Sequence, residues 1–166
     1  MTGKIGFWLV VIALVSCSNQ EPTAALASND AVVETIGLPV YFEKTACFGR
    51  CPAFVFQWDA DTVISLTITR PFRDGALANL TLGSYRATLS TKEAKRWNAK
   101  ITEAEELASF STLDALYDSP MVTDLPSTIL EINGHRVVNR YRGPDLSELY
   151  TVLEQLIASS EWQLQE

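Results

Sequence analysis

The chain has 166 residues, with 13 basic and 20 acidic side chains and a formal net charge of −7. Hydrophobic residues make up 47% of the sequence, which is enough to build a packed core and is atypical of a disordered chain. The acidic balance disfavours nucleic acid as a partner, because binding to phosphate groups requires a net basic surface.

The N-terminal segment carries one cation, Lys4, followed by an apolar run over residues 5–15 that ends just before Cys17. A run of this length suits the core of a signal peptide but does not span a bilayer, which needs about 20 residues. The sequence Leu14-Val15-Ser16-Cys17 resembles the lipobox of bacterial lipoproteins. The resemblance implies cleavage before Cys17 and acylation of its thiol, which anchors the protein in membrane lipid. Ser18 in the next position implies an outer-membrane location facing the periplasm.

The resemblance divides the chain into three parts. These are a lipoprotein signal peptide over residues 1–16, an acylated N-terminus and flexible tether over residues 17–37, and a single globular domain over residues 38–166. The tether is rich in small and polar residues and shows no sustained period. Cleavage removes one charged side chain, Lys4, and leaves 12 basic against 20 acidic groups. We therefore expect the acyl chains, and not basic side chains, to hold the protein at the membrane.

Four β-strands are predicted in the first half of the domain. The first three cover residues 39–44, 53–58 and 63–70. The second is β-prone throughout and stops at Asp59-Ala60-Asp61, the third alternates apolar and polar residues, and the two are predicted to form an antiparallel hairpin. A fourth strand is expected within residues 76–87, where Leu80 alternates with polar or small neighbours.

The period then changes to that of a helix. Ser90-Thr91-Lys92-Glu93 has the spacing of a capping box and predicts the start of an amphipathic helix. A short helical turn is expected around Leu113 and Leu116. Asn133-Gly134 predicts a type I′ turn, because both central residues of that turn need positive φ.

This turn joins two further predicted strands, residues 128–132 and 136–141, and a final amphipathic helix follows Gly143-Pro144. The order of elements predicts an α+β fold. We expect an antiparallel sheet of about six strands with two main helices packed on one face.

Two segments of the domain resemble the signature of an uncharacterised bacterial family. One is Thr45-Ala46-Cys47-Phe48-Gly49-Arg50-Cys51-Pro52-Ala53-Phe54, and the other is Val122-Thr123-Asp124-Leu125-Pro126-Ser127, with Trp162 behind the last helix. The family is catalogued as domain of unknown function 6438, and the resemblance covers about residues 38–163. Since the family carries no established activity, the resemblance predicts a domain without supplying its function.

Cys47 and Cys51 are the two cysteines that remain when Cys17 is acylated. An even pair in an oxidising compartment predicts a structural disulfide that fixes the turn between the first two strands. Gly49, between them, is expected to supply the positive φ of a tight loop.

The alternative for the same pair is a redox or copper site. The Cys-x3-Cys-Pro loop resembles that of thioredoxin-like copper chaperones, in which a distant histidine, here His135, is the third ligand. The segment after Cys51 is β-prone, however, whereas in thioredoxin-like folds a helix follows the cysteine loop. His135 beside the Asn-Gly turn also has an ordinary explanation as a solvated turn residue.

Four other side chains are candidates for binding a ligand. Asp124 is expected to bond local backbone amides, and it is the best candidate among the exposed carboxylates. Arg136, Arg140 and Arg142 would meet an anionic partner such as a glycan or a lipid phosphate, or else lie on a solvated strand face. No catalytic residue is predicted, because one histidine without a serine partner does not make a triad.

The leading interpretation is a non-enzymatic lipoprotein of the cell envelope that binds an envelope protein or a cell-wall component. It requires no metal or cofactor. One alternative is a thiol redox or copper-binding lipoprotein that uses Cys47, Cys51 and His135. The other is an inhibitor of envelope enzymes that presents the loop between the two cysteines.

Overall fold

The computed structural model describes residues 36–122 and 124–166. The predicted signal peptide, the Cys17 acylation site and most of the predicted tether lie outside the described residues. None of the helices in the described part of the chain has the length and apolar character needed to cross a membrane.

The described residues form a single sheet of eight strands with two α-helices. The strands are β1 (Val40–Lys44), β2 (Ala53–Trp58), β3 (Val63–Arg70), β4 (Gly83–Thr88), β5 (Leu116–Tyr117), β6 (Thr128–Ile132), β7 (His135–Asn139) and β8 (Gln163–Leu164). Their order in the sheet is β5-β7-β6-β1-β2-β3-β4-β8. Neighbours are antiparallel, apart from the parallel pair β5 and β7. The predicted α+β class is confirmed.

One face of the sheet is a continuous apolar surface. In register across five neighbouring strands, one buried row consists of Leu130, Phe42, Phe56, Leu66 and Tyr85. Alternate residues of a strand point to opposite faces, so the alternation seen in the sequence places this row on one side. Each of these large apolar side chains stabilises the fold by about 1.5–3 kcal/mol when fully buried.

Two helices cover that face. They are α1 (Thr91–Leu107) and α2 (Ser147–Ser159). Trp97 and Ile101 of α1 and Leu149 and Leu153 of α2 belong to the same hydrophobic core as the buried row of the sheet. The helices therefore close a two-layer core, and the opposite face of the sheet has no helix on it among the described residues.

The predicted capping box at the start of α1 is confirmed. The Glu93 amide donates to Ser90 Oγ at 3.2 Å, and the Ser90 amide donates to the Glu93 carboxylate at 2.9 Å. The hydrogen bonds from Ser90 hold the pKa of Glu93 below its ordinary value. The helix is thereby fixed at the point where the chain leaves β4.

The predicted hairpin turn between β6 and β7 is also confirmed. Asn133 and Gly134 have φ of 50° and 81°, as a type I′ turn requires. β7 begins at His135 and ends at Asn139, earlier than predicted. It ends there because the next two amides, those of Arg140 and Tyr141, donate to the carbonyl of Tyr117 in β5.

The structure differs from the expected fold at three places. The sheet has eight strands instead of about six, because it includes two short strands, β5 and β8, of two residues each. The segment expected to be a helical turn is a 3₁₀ turn at Phe110–Thr112, and Leu116 lies in β5. β4 starts at Gly83, so Leu80 precedes it. The chain there forms turns in which the Leu80 amide donates to the Leu77 carbonyl at 3.0 Å.

Candidate functional site

The two segments that carry the family resemblance meet at one end of the sheet. Lys44, the last residue of β1, pairs with Phe54 on one side and with Thr128 on the other. Just beyond it, the Thr45 amide donates to the Ser127 carbonyl at 2.9 Å, and the Ser127 amide donates to Thr45 Oγ1 at 2.7 Å. We call residues 45–52 and 124–127 together the loop end of the domain.

A disulfide closes the first of these segments into a small ring, residues 47–51. Cys47 and Cys51 are joined with their Cα atoms 5.9 Å apart, a spacing typical of disulfides. The amides of Gly49 and Cys51 donate to Cys47 Sγ at 3.1 and 3.3 Å. Gly49 is not among the residues with positive φ, so the expected reason for this glycine is wrong. The tight turn of the ring is stabilised instead by the hydrogen bonds from these two amides to Cys47 Sγ.

Arg70, the last residue of β3, holds the ring from the side. Its Nη1 donates to the carbonyl of Cys47 at 2.6 Å and to that of Gly49 at 3.1 Å. No motif in the sequence indicates this role for Arg70. The only signal available was a charged residue at the end of an alternating strand. Arg70 and the disulfide together fix the backbone of the ring.

The tip of the ring presents an aromatic side chain to solvent. Phe48 is 97% exposed, and Arg50 on the same ring is also exposed. In the neighbouring segment, Met121 is 90% and Leu125 is 44% exposed. Full burial of an aromatic side chain stabilises a protein by about 1.5–3 kcal/mol, and an exposed one does not make this contribution in the free protein. It is therefore available for a partner to bury.

A cleft of 310 Å³ lies beside the ring, under the end of α2. Its apolar wall includes Pro52, Phe54, Phe72 and Ile157, and the rings of Phe54 and Phe72 stack with centroids 5.4 Å apart. Pro52 borders both the ring and the cleft. The chain therefore passes directly from the ring into the wall of the cleft.

The charges at the rim of the cleft are of two kinds. Lys44 and Glu154 form an ion pair that joins β1 to α2. Asp74, which also lines the cleft, is exposed and forms no ion pair within the part of the chain that the structure describes. The cleft thus has one free carboxylate at its edge.

Asp124 lies at the loop end, as one of the predicted ligand-binding residues. Its side chain is exposed and makes no hydrogen bond to the other described residues, so the expected bonds to local amides are not observed. It is open to solvent beside Leu125, on the same surface as the ring.

The three predicted arginines do not form one anion-binding site. Arg136 lies 3.3 Å from Glu131 and over the ring of Tyr41. Arg140 Nε lies 2.9 Å from Asp118 Oδ1, and Arg142 lies over its neighbour Tyr141. Because each guanidinium has its own contact, the structure does not direct the three at one ligand.

His135 lies far from the cysteine ring. It pairs with Ile132, which pairs with Val40 at the start of β1, whereas the ring follows the end of β1. Four steps along a strand separate the two ends by about 13 Å before the loop is counted. The proposed set of three copper ligands is therefore not assembled. Among the described residues, no group of three or more His, Cys, Asp or Glu side chains is placed to hold a metal.

The expected environment of His135 is also wrong. The residue is the first of β7 and is half-buried, with its ring edge-on to that of buried Phe110 at 5.4 Å. The type I′ turn directs the side chain to the helix-covered face, because its strand partner Ile132 belongs to the core. A histidine in this position contributes to packing.

The face of the sheet that the helices do not cover carries a polar surface. A row in register across six strands consists of Arg136, Glu131, Tyr41, Gln57, Ser65 and Arg86. Burial, followed by the hydrogen bond to Glu43, raises the pKa of Tyr41. Arg136 and Glu131 in this row contact each other, whereas Arg86 is exposed and has no ion pair among the described residues. The row has no exposed apolar side chain comparable to Phe48.

Comparison with known proteins identifies one family. The model of the family described as Domain of unknown function (DUF6438) matches residues 39–157, which include both segments of the loop end. No curated protein and no solved structure matches the chain. The match spans well over half of the sequence, and the chain therefore belongs to the DUF6438 family.

Proposed function

We propose that the protein is a lipoprotein of the outer membrane, anchored through acylated Cys17, whose domain binds another envelope macromolecule and performs no catalysis. The observation that carries the proposal is Phe48, 97% exposed on a ring that a disulfide and Arg70 hold in place. The binding surface is the loop end together with the adjacent cleft.

The fixed ring suits binding for a thermodynamic reason. Ordering a flexible loop on association costs about 0.5–1.5 kcal/mol for each side chain immobilised, and a loop that is already ordered avoids part of that cost. Aromatic residues surrounded by a well-packed rim dominate the binding energy of many interfaces. Phe48, flanked by the apolar cleft, is in such a position.

The position of the tether supports the same surface. The Ile36 amide donates to the Ala60 carbonyl at 2.7 Å, in the turn between β2 and β3. The chain therefore joins the domain at the end of the sheet opposite the ring. The residues between Cys17 and Ile36 span at most about 65 Å when extended. This arrangement leaves the loop end on the side remote from the attachment.

The test is Phe48-dependent capture from the envelope. The full-length, tagged protein is expressed in a bacterial envelope, crosslinked, solubilised and purified, as wild type and as Phe48→Ala. Leu107→Ala is the matched control, because Leu107 is 71% exposed but lies at the end of α1. We expect a crosslinked partner that is lost in Phe48→Ala and kept in Leu107→Ala. Equal capture by all three proteins would contradict the proposal.

An envelope inhibitor would use the same surface. If the captured partner is an enzyme, its activity is measured with added wild-type protein and with Phe48→Ala. Loss of enzyme activity with wild type alone would favour the inhibitor. Unchanged activity would favour a binding role without inhibition.

A second candidate function, thiol exchange, is favoured by the two amides that donate to Cys47 Sγ. Because both amides point at Cys47 Sγ, Cys47 is the candidate attacking sulfur in the reduced protein. Its thiolate would attack a partner disulfide and release one partner thiolate. The Cys51 thiolate would then attack Cys47 Sγ, which re-forms the ring and releases the second partner thiolate.

Single cysteine variants separate this candidate from the binding role. Under thiol exchange, Cys51→Ser traps a mixed disulfide between Cys47 and the partner, and Cys47→Ser traps far less. Under the binding role, neither variant accumulates a mixed disulfide, and partner capture still depends on Phe48.

A further inference from the structure

The loop end carries a projecting side chain, and the adjacent cleft has matching chemistry. The projecting part is Phe48, with exposed Arg50 on the same ring. The receiving part is the apolar cleft of 310 Å³ with the carboxylate of Asp74 at its edge. An aromatic ring beside a cation is complementary to an apolar cleft beside an anion, in both polarity and charge.

Neither half is occupied by the residues that the structure describes. Phe48 is almost fully exposed and therefore does not occupy the neighbouring cleft. Arg50 and Asp74 form no ion pair among residues 36–122 and 124–166, whereas Lys44 and Glu154 at the same cleft pair with each other. Among the residues of the ring and those lining the cleft, the charged groups without an ion pair are thus Arg50 and Asp74.

The position of Pro52 decides how two copies would meet. Pro52 lines the cleft and directly follows the ring, so the ring that carries Phe48 is adjacent to the cleft. A two-fold axis next to Pro52 would place Phe48 of each copy in the cleft of the other. Such a contact is isologous and closes at two copies, whereas a contact between distant surfaces would continue into a filament.

We propose that the partner of the loop end is a second copy of this chain, with Phe48 in the partner's cleft and Arg50 against the partner's Asp74. This inference rests on the proposed function, since it names the partner of the same surface. Anchoring in one membrane would favour the dimer, because confinement to a plane raises the effective concentration of each copy for the other.

The test is sedimentation of the full-length protein in density-matched detergent over a range of protein concentrations. We expect a monomer–dimer equilibrium in wild type and an increase of the dissociation constant by more than roughly tenfold in Phe48→Ala, as for an interface hot spot. Leu107→Ala should leave the constant unchanged. Because Phe48 is exposed, its substitution leaves the fold of the monomer intact.

A charge reversal tests the geometry of the contact. Arg50→Asp and Asp74→Arg should each weaken the dimer, and the two together should restore it, because the ion pair is rebuilt with its signs exchanged. Lys92→Asp makes the same charge change on exposed Lys92 in α1 and should have no effect. Failure of the double variant to restore the dimer would overturn the proposed pairing.

The two proposals fail in different ways. A protein that stays monomeric at all concentrations, or a dimer indifferent to Phe48→Ala, overturns the inference of self-association. If Phe48-dependent crosslinks to a different protein are still found in the envelope, the binding function survives with another partner. If position 48 affects neither, the loop end is not the binding surface.

Discussion

Removing the disulfide gives a test whose magnitude follows from the size of the ring. The Cys47→Ser/Cys51→Ser variant opens a ring of residues 47–51. Closing about five residues removes loop entropy worth about 2 kcal/mol from the unfolded chain. Serine at both positions keeps an acceptor for the amides of the loop, and Arg70 still holds the carbonyls of Cys47 and Gly49. We therefore expect the sheet to remain folded.

The expected loss converts into a thermal shift. Unfolding a domain of about 130 residues involves an entropy of roughly 2.1 cal/mol/K per residue, so a loss of about 2 kcal/mol lowers Tm by about 7 °C. Urea unfolding followed by tryptophan fluorescence suits the measurement, because Trp58 and Trp97 lie in the core. Wild type with its disulfide reduced is the matched control and should show the same loss as the double variant.

Two results would contradict the expected loss of about 2 kcal/mol. A loss of more than about 4 kcal/mol, or failure to fold, would mean that the ring supports the sheet itself and not only its own loop. No loss at all would mean that closing the ring stores strain that cancels its entropic advantage.

The other predictions concern the support of the ring, the cap of α1 and the anchor. Arg70→Met removes two hydrogen bonds at a partly exposed site, so it should lower the free energy of unfolding in urea by on the order of 1 kcal/mol. It should also speed amide exchange in the ring without unfolding the sheet, and unchanged exchange would mean that Arg70 does not hold the ring. Glu93→Gln should destabilise the domain at neutral pH, because a carboxylate with a lowered pKa stabilises the fold above its ordinary value of 4.5. That advantage is lost as the pH falls through the pKa in the folded state, so the two stability curves should converge in acid, and parallel curves would refute the cap assignment. Cys17→Ala should abolish acyl mass in the membrane-extracted protein and leave the precursor, whereas an acylated product would disprove the anchor.

The sequence predicts the centre of the sheet because periodicity there reports burial. β2 and β3 occupy the predicted residues, since β2 is rich in aromatic and β-branched residues and apolar side chains alternate with polar ones along β3. The turn at Asn133-Gly134 is equally local, because only a few residue types tolerate positive φ at both positions. Such features depend on residues close together in the chain.

The edges of the sheet depend on distant residues and leave little local pattern. β8 is two residues long and exists because Gln163 and Leu164 reach β4 after the last helix. β5 pairs with β7 through a connection of many residues. Two residues are too few to show a period, so neither strand was predicted.

The candidate site likewise combines features that are local in the sequence with features that depend on distant residues. The Cys47–Cys51 pair was visible from its spacing, whereas Arg70 reaches the ring from a different strand. The separation of His135 from the cysteines follows from strand direction, which composition does not reveal. Exposure of Phe48 likewise results from the closed ring, which turns an apolar residue outward.

Photo-crosslinking at position 48 in living cells tests the central claim, that the loop end is the binding surface. The full-length protein is expressed in a bacterial envelope with p-benzoylphenylalanine in place of Phe48, and the control protein carries it in place of Leu107, which is similarly exposed. We expect crosslinked adducts from position 48 that are absent from position 107. Adducts from position 107 with none from position 48 would contradict it.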